Sequence, residues 1–151
     1  MASVGGLDEN LGYEDLRHLD WAGFDVVFRE EPELLSRLSA GEDLCDDTGA
    51  YETLALGLDP GVASTVVALA ALGCPPLTSC SGGPGHREEH PLVVFWCPHE
   101  LFEDVFRAAQ ASGVDLEGVL HPGLMAFAGS GQLGLMREFA AQLASFRPRT
   151  R

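Results

Sequence analysis

The chain has 151 residues, 46% of them hydrophobic and 21% charged, with a formal net charge of −14 at pH 7. This composition suits one globular domain with enough apolar residues for a core, and it excludes disordered and fibrous classes. No apolar run reaches the roughly 20 residues of a membrane span, and Asp8, Glu9, Glu14, Asp15 and Asp20 contradict the basic and then apolar start of a secretory signal.

A cytoplasmic location, away from any membrane, is therefore expected. The four cysteines, Cys45, Cys74, Cys80 and Cys97, form no C-x-x-C pair and are expected to be free thiols. Charge is unevenly distributed: residues 1–59 hold fifteen acids against Arg17, Arg29 and Arg37, and the chain has no lysine. Such a field repels a phosphate backbone, which argues against a nucleic-acid partner, and it would steer a basic protein inward. Arg147, Arg149 and Arg151 make a basic end that is expected to fray. Arginine without lysine, with abundant alanine and glycine, points to a GC-rich bacterial genome.

In chain order, Asp25–Phe28 has the composition of a strand, and Pro32–Leu38 that of a short helix ending near Gly41. Residues 41–50 read as an acidic loop, and residues 51–58 fit strand or helix, because Leu54, Leu56 and Leu58 alternate in a short segment. The clearest signal follows. Asp59 stands before Pro60 as a helix N-cap would, and Val62, Val66, Leu69 and Leu72 recur at helical spacing until Gly73. Pro75 and Pro76 prevent the helix from resuming, so Leu77–Cys80 is predicted as a short strand leading into a loop over Ser81–His90. Leu92–Trp96 is apolar on both faces and is expected to be a central strand, paired with the first as a wide hairpin.

Pro98 opens a further helix with a stripe of Leu101, Phe102, Val105, Phe106 and Ala109, ended by Gly113. Val119–His121 and Leu124–Ala128 read as short strands around Pro122 and Gly123. Ser130 is placed to cap a last helix, whose stripe of Leu133, Met136, Phe139, Ala140, Leu143 and Phe146 runs to Pro148. This order predicts a single α/β (α+β) domain over residues 1–151. It would be a ferredoxin-like sandwich of a mixed sheet with helices, in which residues 1–58 form an acidic N-terminal extension and 59–146 the core.

The richest chemistry lies at Thr78, Ser79, Cys80, Ser81, Gly82, Gly83, Gly85 and His86. Glycines let backbone N–H groups approach a ligand and form an anion-binding concavity. The loop fits neither G-x-x-x-x-G-K-[ST] nor a strand-to-helix G-x-G-x-x-G turn, because a strand follows it. A small ligand of nucleotide-like type, held by loop N–H groups and hydroxyls, is its most economical use; a plain flexible hairpin is the alternative. Cys80 with His86 offers a nucleophile and a base, but no third residue orients them, and a buried cysteine at a strand end explains Cys80 equally simply. These residues name no reaction.

Cys80, His86, His90, Cys97 and His99 have the ligand types for zinc. Coordination needs convergence within about 2.0–2.3 Å of one point, whereas a strand over Leu92–Trp96 carries Cys97 and His99 away by about 3.3 Å per residue. No bound metal is expected. Glu42, Asp43, Asp46 and Asp47 lack the spacing of a calcium loop and fit a solvated face or a surface for a basic partner. Trp96 with Phe95, and Trp21 with Phe24, are expected in the core rather than stacked on a base.

Residues 59–97 resemble small bacterial and phage proteins of unknown function that carry a helix, then T-x-S-C-x-G-G-x-G-H, then a strand beginning near His-Pro, here His90-Pro91. More distantly, Ser79-Cys80-Ser81-Gly82 is similar to a Ser-Cys-Ser-Gly segment of the wybutosine-synthesising tRNA methyltransferase family, with Gly83 where that family has arginine. The resemblance implies a ligand loop and nothing about methyl transfer. Two functions follow as expectations: small-ligand binding at Thr78–His86, or an acidic interaction module, such as an immunity protein or inhibitor, acting through residues 1–59.

Overall fold

In a computed structural model of the chain, the described residues are 19–40, 60–80, 90–119, 123–127 and 132–148, with Leu38 and Ser39 described by backbone only. Helix α1 spans Trp21–Ser39. The Asp20 carboxylate starts it by accepting from the Gly23 N–H at 2.8 Å, the geometry of an N-cap side chain and the third helical residue. Phe24, Val27 and Leu34 are buried on one face while Asp25 faces solvent. The expected strand at Asp25–Phe28 is therefore helical, because its apolar residues belong to a helical stripe. Pro32 lies inside the same helix rather than opening a second one. Its ring is exposed, and the missing N–H removes one backbone bond without ending the element.

Helix α2 spans Ala63–Leu72 and is buried on every side from Ala63 to Leu69. Its small and β-branched residues, Ala63, Val66, Val67 and Ala68, let α1, α4 and the sheet approach it from different directions. It starts later than the Asp59–Pro60 signal suggests, after a turn at Pro60–Val62, and no side chain at the N-cap position Val62 bonds its first turn. Gly73 ends it at φ 111°, a left-handed cap whose N–H reaches the Leu69 and Ala70 carbonyls.

Strand β1 is Pro76–Cys80 and β2 is Leu92–Trp96. A 3₁₀ turn at His99–Leu101 leads into α3, Phe102–Ser112, which Gly113 closes at φ 84°. Strands β3, Asp115–Gly118, and β4, Gly123–Phe127, precede α4, Leu133–Ala144. The sheet order is β1-β2-β4-β3, so β2 is central as expected. The three pairings are antiparallel rather than mixed, which follows from hairpins joining β1 to β2 and β3 to β4. The result is an α+β domain with four α-helices and one four-stranded sheet among the described residues.

Strand β3 lies earlier than predicted. Asp115 and Glu117 are exposed on alternate positions, so an edge strand is concealed in a polar sequence. The α3 stripe also shifts. Val105, Ala108, Ala109 and Ser112 are buried, whereas Phe102 and Phe106 are each 45% exposed. They stack on one another with ring centroids 6.1 Å apart. In α4 the expected stripe stands, with Met136, Phe139, Ala140 and Leu143 buried and Leu133 and Phe146 packed at its margin. The Thr65 hydroxyl donates to the Met136 carbonyl at 2.8 Å and joins α2 to α4 within the core. The expected loop at 41–50, the segment at 51–58, Asp59 and the Ser130 cap lie outside the described residues.

Candidate functional site

Register decides which face each site residue occupies. Ser79 pairs with Val93, a core residue, and so lies on the face toward the helices. Thr78 pairs with Val94, and Cys80 with Leu92, on the opposite face. Leu92 pairs in turn with Phe127, and Phe127 with Asp115. One row therefore crosses all four strands as Cys80, Leu92, Phe127 and Asp115, and a second crosses as Thr78, Val94, Met125 and Glu117. This face has a thiol and a hydroxyl at one edge, an apolar centre and carboxylates at the other edge.

Cys80 is only 5% exposed yet lies outside the main core cluster, as its place on this second face requires. Thr78 and Ser79 are half-buried. Ser81, Gly82, Gly83, Gly85 and His86 lie outside the described residues, so the structure places three of the eight expected site residues. His90 and His99 stand exposed at opposite ends of β2. Among the described residues, no group of three or more His, Cys, Asp or Glu side chains is arranged to hold a metal ion. Phe95 is fully buried as expected, but Trp96 is 50% exposed because β2 turns alternate residues to the second face.

Two buried polar groupings have no counterpart in the sequence pattern. Glu31, fully buried in α1, accepts from the Gly61 N–H at 2.7 Å, the Ser64 N–H at 3.4 Å and the Ser64 hydroxyl at 2.7 Å. It thus takes the place of a local cap on α2, where a carboxylate also meets the favourable end of the helix dipole. Arg137 of α4 completes the cluster, donating to Glu31 at 2.7 Å while its guanidinium stands 4.0 Å from the Phe28 ring centroid. One carboxylate therefore ties three helices together. No spacing signal marks it, because the partners lie 30 to 106 residues away.

The second grouping is Cys74 and Cys97, both buried free thiols with Sγ atoms 4.0 Å apart. Cys74 donates to Cys97, and Cys97 donates to the Pro98 carbonyl at 3.5 Å. Burial pushes the Cys74 thiol far up, with the neighbouring Cys97 adding to the rise. Burial also raises Cys97, and the bond received from Cys74 opposes that rise. Cys97 is thus the better placed of the two to carry negative charge. Spacing alone groups Cys97 with histidines as a ligand and leaves Cys74 unassigned.

No family model, curated protein or solved structure matches the chain. Among the described residues, no helix is long and apolar enough to cross a membrane.

Proposed function

We propose that the protein binds a small, nucleotide-like ligand at the loop after β1, with Thr78, Ser79, Cys80, Ser81, Gly82, Gly83, Gly85 and His86 as the contacting residues, Ser79 through its backbone because its side chain lies on the helix face. The observation that supports this reading is the row of register positions on the second sheet face. Thr78 and Cys80 stand there beside Leu92, Val94, Met125 and Phe127, so an apolar surface meets polar groups where the glycine-rich sequence begins. Flat ligands with one apolar face and polar edges suit such a surface. Backbone N–H groups of the glycines would supply donors for an anionic group.

The test is a thermal-shift screen of nucleosides, nucleotides and inorganic phosphate on the wild type and on a Cys80→Ala/His86→Ala variant. A ligand bound at the loop raises the melting temperature of the wild type increasingly with its concentration and leaves the variant unmoved. Compounds that stabilise both chains equally would remove the loop from consideration.

A second reading rests on charge. With a net charge of −14, and fifteen acids among residues 1–59, the cytoplasmic protein would act as an acidic module that captures a basic partner, as immunity proteins and inhibitors do. Capture should weaken steeply with ionic strength and fail when Glu42, Asp43, Asp46 and Asp47 are neutralised. Binding that ignores both changes refutes this reading.

A further inference from the structure

We propose that Cys74 and Cys97 form a reversible disulfide, a peroxide-responsive modification site at the open end of the β1–β2 hairpin, where its two strands enter and leave. The pairing pattern carries this inference. Pro76 is opposite Phe95, and the Trp96 N–H donates to the Pro75 carbonyl at 2.9 Å. Continuing that register by two residues, past Pro75 and Trp96, sets Cys74 opposite Cys97. Directly opposed antiparallel residues have Cα atoms about 4.5–5.5 Å apart, within the roughly 4.4–6.8 Å span of disulfides. The thiols already face one another at 4.0 Å, so bond formation needs side-chain rotation rather than movement of the strands. Pro75 strengthens the case, because its fixed φ holds the chain between Cys74 and the strand.

The two sulfurs differ in role. Cys97 is 7% exposed, whereas Cys74 is fully buried, so an oxidant reaches Cys97 first. The Cys74 S–H points to the Cys97 sulfur and steadies its thiolate. The thiolate of Cys97, its proton released to water, attacks one oxygen of hydrogen peroxide. The O–O bond breaks, hydroxide leaves with that electron pair and becomes water on protonation, and Cys97 becomes a sulfenic acid. The Cys74 sulfur then attacks the Cys97 sulfur, the S–O bond breaks, and the departing hydroxide takes the Cys74 proton as a second water. Two thiols are oxidised to one disulfide, and one peroxide is reduced to two waters. A small-molecule thiol reverses the modification by exchange.

This site is independent of the ligand-loop reading and survives its failure. The test treats the reduced full-length chain with hydrogen peroxide, alkylates the remaining thiols and maps proteolytic peptides by mass spectrometry without reduction. The expected result is a Cys74–Cys97 linked peptide lighter by two hydrogens. It should be accompanied by a melting temperature raised by roughly 6–12 °C and returned to its starting value by dithiothreitol. A Cys45→Ser/Cys80→Ser chain should behave identically. In Cys74→Ser, Cys97 should stop at a sulfenic acid that dimedone traps. Linkage through Cys45 or Cys80, or Cys97 carried to sulfinic acid in the wild type with no linked peptide, would overturn the proposal.

Discussion

Glu31 is the residue on which most of the helical layer depends. A fully buried carboxylate is tolerated because every bond it accepts comes from a fixed donor: two backbone N–H groups, one hydroxyl and one guanidinium. Breaking such a cluster from one side leaves an uncompensated charge. Arg137→Met should therefore lower the unfolding free energy by about 3–5 kcal/mol, read as a lower urea midpoint at unchanged slope. Adding Glu31→Gln to that variant should recover part of the loss, since the stranded charge is then gone. No recovery in the double variant would show that packing over Phe28, rather than charge, dominates. Nearby, Gly61 has φ 103°, and a Cβ there would meet Leu133 Cδ2 at 2.7 Å. Gly61→Ala should cost at least about 1–2 kcal/mol for the left-handed backbone, with the same urea experiment as its measure.

A contrasting pair lies at the surface. Arg147 holds Asp25 through two bonds of 2.7 and 3.1 Å, and this hydrogen-bonded contact draws the Asp25 carboxyl below its ordinary value. A carboxyl whose folded pKa is depressed contributes stability that is complete above its unfolded pKa and is lost as pH falls through the folded one. Because both side chains are substantially exposed, the contribution should be only about 0.2–1 kcal/mol. Asp25→Asn should lower the melting temperature slightly at neutral pH and have no effect in strong acid. A penalty that persists in acid would mean the contact acts by packing.

At the scale of elements, α3 separates burial from hydrophobicity. Its sequence offers Phe102 and Phe106 as core residues, yet the helix turns Val105, Ala108 and Ala109 inward and leaves the aromatic pair in solvent. Truncating the pair should accordingly cost less than about 1 kcal/mol, as surface substitutions do. Phe139→Ala in α4 should cost about 3–5 kcal/mol, because it opens a cavity in the packed interior. Chemical denaturation of the two variants beside the wild type checks both values. The same comparison explains β3. Asp115 and Glu117 occupy one face of an edge strand, where charge discourages pairing with other chains, so no apolar alternation marks the element.

For the whole molecule, local rules make much of the element order legible in the amino-acid sequence itself. Gly73 and Gly113 end helices because each must adopt a left-handed backbone. Leu92–Trp96 is an interior strand, its run of β-branched and aromatic residues paired along both edges. The α4 stripe is legible for a similar reason, its helical periodicity. These features depend on neighbours within a few residues, which is the range over which sequence pattern is informative.

Tertiary structure decided the rest. Whether Val26, Val27 and Phe28 formed a strand or part of α1 depended on the core that Phe24 and Leu34 join, together with the Asp20 cap. The cap of α2 came from Glu31 in another helix, across 30 residues of chain. Thr78 and Cys80 share a sheet face with Leu92 and Phe127 only through pairing register, and Cys74 meets Cys97 only because two strands run antiparallel. Composition and spacing located the glycine-rich segment. Which side chains meet across the sheet and between helices was set by long-range pairing, whose partners no local pattern specifies.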